Sequence, residues 1–409
     1  MNEKRSRNAR RRPQRGGSVE IEKLKALAAS EIETHREQLR ELALRIHANP
    51  ERGFQELKAT KWLTQYLEKN GFSVERGICQ LPTAFRASYG QGKPVIAFLA
   101  EYDALAGIGH ACGHNIICTA SVGAALGVRP VAEQCGGTIV VLGTPAEEGY
   151  GGKAIMANRG AFENVDVAMM IHPEDHDAAT THALACQTLE VEFFGKAAHA
   201  AARPEAGINA LEAMLLSFAA INSLRQHIRS SARIHGIITD GGQAPNVVPA
   251  HSAGSFYVRA RNDAYLDELE QKVINCFTSG ATATGAQLKY KWDEVRYATM
   301  RNNLTLAGLF RQNMQSLGRD PVFGNPNVSF GSTDMGNVSH LVPAIHPYVA
   351  ISPRGIQVHT TEFATAAASE AAIKGMLDAA KALAMTAVDL LANREILAKV
   401  KEEFEQGKQ

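Results

Sequence analysis

The sequence predicts an α/β fold, a mostly parallel sheet with helices, into which a smaller ferredoxin-like domain is inserted. Three observations predict it. Short apolar runs at 94–100 (PVIAFLA), 138–142 (TIVVL) and 165–171 (VDVAMMI) are separated by helical or loop stretches, the mark of parallel strands buried on both faces. The stretch 187–293 reads instead in the order β-α-β-β-α-β, a split βαβ arrangement. A chain of 409 residues also exceeds the size at which one core usually divides.

The elements follow in order. Residues 1–18 are expected to be a disordered basic tail, because they are polar and charged throughout. An amphipathic helix is expected over 19–47, ending before Asn49-Pro50, and a second over 57–70, stopped by Gly71. The three apolar runs then supply the parallel strands. In the insertion, strands are expected at 188–194, 231–239, 252–261 and 287–292, with helices at 207–227 and 263–284. Alternation of helix and strand resumes after Met300 and ends in an Ala-rich helix, 363–393. The first domain is therefore discontinuous, 19–186 and 294–409, around an inserted domain at 187–293.

Composition narrows the function classes. Apolar residues make up 45% and charged residues 21%, ordinary values for a globular enzyme. The formal net charge is +1, yet the first fifteen residues hold seven basic side chains against Glu3 alone. The remainder is net acidic, which argues against nucleic-acid binding by the body of the chain. No secretory apolar segment follows the basic start, and no run of about 18 uninterrupted apolar residues exists to cross a membrane. Six scattered cysteines read as reduced thiols, so the expected compartment is the cytoplasm.

The polar residues after the strands are the informative ones. The first run leads into Glu101-Tyr102-Asp103 and then Cys112 and His114; the second into Glu147-Glu148; the third into His172. Ligands of open parallel sheets bind at the carboxyl ends of the strands. Alone, Cys112 would read as a small buried hydrophobe, His114 as a core or surface histidine, and Glu147-Glu148 as a solvated pair. Delivered together to one rim, thiolate, imidazole and carboxylate suit a first-row divalent ion. In the paired glutamates one carboxylate can ligate while its neighbour takes protons.

These residues carry a family resemblance. HACGHN (110–115), GTPAEEGYGG (143–152), IHP (171–173), FFGKAAHAAARPEAGINALEA (193–213), GGQAPNVVPA (241–250), GSTDMGNVS (331–339) and VHTTEF (358–363) resemble metallopeptidase family 20. Among its subgroups, the aminobenzoyl-glutamate hydrolases and β-alanyl-lysine-type dipeptidases are the most similar. The resemblance implies a metallohydrolase domain with a lid through which two chains form a homodimer. It implies Cys112, His114, Glu148, His172 and His359 as metal ligands, Glu147 as general base, and Asp103 as the carboxylate that orients a ligand. It implies His199 as a lid residue reaching the neighbouring subunit's active site, and Asn246 and Arg259 as binders of a substrate carboxylate. Glu101 stands where many relatives carry a metal-binding histidine, so one or two divalent ions, manganese or zinc, are both open. Ser332, Thr333 and Asp334 read equally well as a helix N-cap.

The implied reaction is hydrolysis of the amide of a small carboxylate-bearing substrate (an N-acyl or aminobenzoyl amino acid, or a dipeptide) by metal-activated water. Two other readings stand beside it. One is hydrolytic release of ammonia from a small aromatic amine such as a substituted aminobenzoate. The other is a metal-binding scaffold without catalysis, which retention of the base and every ligand disfavours.

Overall fold

The structure is a computed structural model that describes residues 15–325 and 331–407. Most of the basic tail, residues 1–14, lies outside the described residues. Helix Arg15–Thr34 begins inside the stretch assigned to the tail, so residues 15–18 are helical. Periodicity could not register this, because Gly16, Gly17 and Ser18 offer no apolar residue to count. The single helix expected over 19–47 is two, with Arg36–His47 following a break at His35. Ala28, Ile32, Leu39, Leu42 and Ile46 are nevertheless all buried, so the apolar stripe runs across the break.

The described residues form twelve strands: β1 Ser73–Arg76, β2 Phe85–Gln91, β3 Val95–Ala100, β4 Gly137–Gly143, β5 Val167–Met169, β6 His172–Glu174, β7 Ala185–Phe194, β8 Arg233–Asp240, β9 His251–Ala260, β10 Gln287–Trp292, β11 Ala344–Ile345 and β12 Tyr348–Ala350. The main sheet has the order β1-β2-β4-β3-β5-β11. Its centre is parallel: β3 pairs with β4 and β5, and β5 with β11. All six residues of β3 are buried, hence the uninterrupted apolar run in the sequence. Antiparallel β1 and β2 extend one edge; their mixed burial left no continuous run to read.

Helix His114–Cys135 lies against β3 and β4 and is packed in turn by helices Arg15–Thr34 and Glu370–Ala392. Close approach there depends on Gly127, where a Cβ would stand 2.7 Å from Ile32. This helix is long and apolar enough to cross a membrane, its most apolar 18-residue window having mean hydropathy 1.3, but 89% of that window is buried inside the protein. The helix expected over 363–393 is also two, Thr361–Ala366 and Glu370–Ala392, because Ser369 caps the second by accepting from Ala372 N–H.

The insertion has the expected order. Its antiparallel sheet runs β10-β7-β9-β8, and helices Ala210–Leu224 and Asp263–Thr284 cover one face. Asn209 and Asn262 start those helices by accepting from Glu212 N–H and Tyr265 N–H. Leu189, Phe193, Met214, Phe256, Leu266 and Phe277 form a core separate from that of the main sheet. Among the described residues, no helix covers the opposite face of this lid sheet.

Candidate metal centre

The centre is built from the ends of strands. After β3 the chain continues into Glu101, Tyr102 and Asp103, all buried. It then reaches Cys112 and turns at Gly113, whose φ of 73° starts helix His114–Cys135. A Cβ at Gly113 would lie 2.5 Å from Pro173 Cγ, so glycine lets this loop press against β6, which begins at His172. After β4 the chain turns at Ala146, φ 60°, to present Glu147 and Glu148. His359, φ 65°, is tied to the Cys112 loop by its N–H, which donates to Ala111 O at 2.8 Å. Two left-handed non-glycine residues thus flank the centre, and such backbone costs about 1–3 kcal/mol each.

The structure brings the five expected ligands together. Cys112 Sγ is 3.3 Å from His172 Nε2. Glu148 Oε1 is 3.3 Å from His359 Nε2 and 4.0 Å from His114 Nε2. The five donors form two triads, Cys112/His114/His172 and Cys112/Glu148/His359, each with all ligand atoms within 4.8 Å of one another, and Glu147 makes a third with His114 and Glu148. Cys112, His114 and Glu148 each belong to two of them.

The donor set fits a divalent ion on independent grounds. His114 Nε2 and Glu148 Oε1 are buried without a hydrogen-bond partner. His114 Nδ1 pairs with Asp103 Oδ1 at 3.1 Å, which aims Nε2 at the centre. His172 Nδ1 lies 2.8 Å from Pro173 O, which turns its Nε2 toward Cys112 Sγ. Burial lowers the His172 pKa to about 4, so the ring is neutral with a lone pair available. Burial and then the charge of Glu148 push the Cys112 thiol well above its ordinary range; a coordinated cation reverses that, because it deprotonates a bound thiol outright. Asp103 also accepts from Glu148 N–H at 2.9 Å, so one carboxylate positions two ligands.

Glu147 is placed for proton transfer. Burial and the neighbouring charges of Glu101 and Glu148 raise its pKa well above the usual carboxylate range. Its backbone is held by Tyr297, whose hydroxyl donates to Glu147 O at 2.7 Å. Further back, fully buried Glu56 accepts from Ala146 N–H at 2.8 Å. Burial raises the Glu56 pKa to about 7. An acid whose pKa rises on folding binds its proton more tightly when folded, so its stabilising protonation is complete below about pH 4.5 and lost as pH rises through about 7. Glu56→Gln keeps the acceptor and removes the titration. It is expected to match the parent at pH 4.5 and to exceed it above pH 7 by up to about 3 kcal/mol, read by denaturant unfolding across pH. Parallel pH profiles for the two proteins would contradict this.

Sequence reasoning missed a buried ion-pair cluster beside the ligands. Lys153, fully buried at the start of helix Gly152–Asn158, places Nζ 2.5 Å from Glu101 Oε1 and 2.5 Å from Asp334 Oδ1. Its backbone N–H donates to Asp334 Oδ2 at 2.7 Å. Asp334 does precede helix Met335–Ser339, as an N-cap reading requires, but it makes no side-chain cap bond. Glu101 Oε2 lies 3.5 Å from His114 Nε2, while its other oxygen is held by Lys153. A lone lysine after two glycines carries no signal that would place it in a core.

A cavity of about 390 Å³ opens beside the centre, with Glu147, Glu148, His359, Arg259 and Ser332 in its wall. Arg259 Nη1 donates to Ser332 Oγ at 3.3 Å, and its Nε is buried without a partner. His199, expected to reach a neighbouring subunit's site, and Asn246, expected to bind the substrate carboxylate, lie elsewhere in the lid of this chain. Both are exposed and neither is in the cavity wall. They share another corner of the lid, where Ala200 N–H donates to Asn246 O at 3.0 Å and His199 pairs with Val247. Local strand pairing sets that corner.

Residues 97–386 match the peptidase family M20/M25/M40. The chain is 39% identical to a mouse (Mus musculus) Xaa-Arg dipeptidase over 411 residues, covering 96% of this chain and 94% of that protein. It is 32% identical to a p-aminobenzoyl-glutamate hydrolase subunit of Escherichia coli strain K12, covering 92% of this chain and 93% of that protein. Among solved structures it is similar to the Bacillus subtilis YXEP protein, a dinuclear metal binding peptidase, with TM-score 0.68, 20% identity, and coverage of 88% of this chain and 99% of that one.

Proposed function

The chain belongs to peptidase family M20/M25/M40, and from that premise we propose that it is a metal-dependent hydrolase cleaving the amide bond of a small carboxylate-bearing substrate. One observation carries the reading: Glu148 and His359 of one triad, a base with raised proton affinity and an arginine with an unpaired buried Nε border one cavity. The mouse relative is named for a dipeptide and the E. coli relative for an aminobenzoyl amino acid. In both, the departing amine belongs to an amino acid with a free carboxylate.

Cys112, His114, Glu148, His172 and His359 would hold the metal, one or two ions in each chain. Zinc and manganese are both candidates, and the thiolate favours zinc. A bound divalent ion polarises the amide carbonyl and lowers the pKa of water. Glu147 accepts a proton from the attacking water, whose oxygen bonds to the carbonyl carbon. The same carboxyl then delivers that proton to the nitrogen as the C–N bond breaks, giving a carboxylate and an amine. Tyr297 keeps the base in place through its backbone, and Arg259 holds the substrate carboxylate by its fork of donors.

A screen of metal-reconstituted protein against dipeptides, aminobenzoyl-glutamate and aminobenzoates tests the reading, with amine and ammonia measured separately. Amine release from the first two classes is expected. Ammonia from aminobenzoates without any amide cleavage would overturn it in favour of the deaminase.

The lid also supports a homodimer. Edge strand β8 exposes Ile237 and Ile238, at 65% and 37%, and the adjoining helix Ala210–Leu224 exposes Leu215 and Leu216, at 44% and 43%. An apolar edge with unpaired backbone is a template for a second copy. Pairing there would let His199 and Asn246 of one subunit complete the cavity of the other. His199→Ala and Glu147→Ala subunits, each inactive alone, are expected to regain partial activity when mixed; verified mixed dimers with none would refute shared sites. The six free cysteines fit a reducing compartment such as the cytoplasm.

A further inference from the structure

Resting on the amide-hydrolase reading above, we propose that Tyr257 is a positioning residue, whose ring holds the Arg259 guanidinium so that its Nε–Nη2 edge meets the substrate carboxylate. Strand β9 turns Phe256 and Val258 into the lid core, so Tyr257 and Arg259, two residues apart, share the uncovered face. Both border the cavity that also holds Glu147, Glu148 and His359. Arg259 Cζ lies 5.3 Å from the centroid of the Tyr257 ring, within the range in which a guanidinium is attracted to an aromatic face. His235 of β8 stands opposite Tyr257 in register, with ring centroids 5.6 Å apart and planes inclined at 47°. Burial, then the charges of Arg259 and Arg225, lower the His235 pKa, so the imidazole beside Tyr257 is neutral and adds no competing cation.

Little else fixes the guanidinium. Among the described residues Arg259 enters no ion pair, and its side chain makes one hydrogen bond, from Nη1 to Ser332 Oγ at 3.3 Å. Its Nε is buried without a partner. Arg233 of β8 stands opposite Arg259 in register, a like charge that would repel it. That side chain is turned to backbone instead, donating from Nη1 to Ser230 O and Ala232 O. With Nη1 engaged by Ser332, the adjacent donors left for a carboxylate are Nε and Nη2, and a bidentate contact takes both. Ser332 fixes one corner of the guanidinium plane and the Tyr257 ring attracts its cation; together they set where the Nε–Nη2 edge points. Without the ring, the long side chain can pivot about the Ser332 contact, and ordering it falls to the substrate.

The test uses the metal-reconstituted full chain with Ala-Arg and its C-terminal amide as substrates, and free L-arginine and L-arginine amide as ligands in calorimetry. Tyr257→Leu removes the aromatic face and should raise KM for Ala-Arg about three- to thirtyfold, with kcat within about twofold of the parent. Tyr257→Phe keeps the face, loses only the hydroxyl, and should match the parent. The substrate carboxylate separates a ring that acts through Arg259 from one that touches the rest of the substrate. In the first case Tyr257→Leu narrows the Ala-Arg to Ala-Arg amide ratio in kcat/KM by the same factor; in the second it lowers both alike. An unchanged KM in Tyr257→Leu, or a ratio that does not move, overturns the proposal and leaves the amide-hydrolase reading intact. If no dipeptide is cleaved but L-arginine binds Tyr257→Leu more weakly than the parent and Tyr257→Phe, while L-arginine amide shows no such difference, the positioning role stands and the amide-hydrolase reading falls. If neither cleavage nor such binding occurs, both fall.

Discussion

Glu147→Gln is expected to lower turnover by at least about a hundredfold with metal content retained, the usual size of a general acid–base contribution. The substitution keeps size and polarity, so the fold about Ala146 and the Tyr297 bond to the Glu147 carbonyl should persist. It removes only the group that accepts and returns the proton. Glu148, one residue on, is held by Asp103 at its backbone and faces His359; its loss should instead reduce metal content. The two variants therefore separate base from ligand. Full turnover in Glu147→Gln would assign the proton transfer elsewhere.

Lys153→Met should have the largest effect on stability, about 3–5 kcal/mol, the cost of breaking a buried pair by removing one partner. The ammonium lies between two carboxylates that are themselves buried, Glu101 and Asp334. Without it both are left in a poorly solvated space beside the ligand His114. Adding Glu101→Gln and Asp334→Asn to Lys153→Met removes the orphaned charges and should restore most of the loss. Denaturant unfolding of the single and triple variants measures both. A single variant within about 1 kcal/mol of the parent would show that water or a counter-ion already serves these carboxylates.

What the sequence disclosed follows from where physical pattern is strong. β3 and β4 were legible because strands buried on both faces must be apolar throughout. The lid order was legible from its alternating strands and long helices. Cys112, His114, the Glu147-Glu148 pair and His172 were legible as candidate ligands because each follows a buried strand at the rim where ligands bind; which glutamate ligates came from family resemblance. His359, Arg259 and His199 have no such local cue and were reached through family resemblance. Breaks at His35 and near Ser369 were illegible, because buried residues continue on both sides of each. Lys153 and Asp334 were illegible for a different reason. A buried pair is a tertiary fact, and 181 residues separate its two members in the chain.

The most direct measurement is anomalous diffraction from crystals of the zinc- or manganese-loaded, active protein. An ion is expected about 2.3 Å from Cys112 Sγ, with imidazole nitrogens of His114 and His172 or the Glu148 and His359 atoms completing its shell. An active crystal whose ions contact neither that sulfur nor those imidazoles would contradict the assignment.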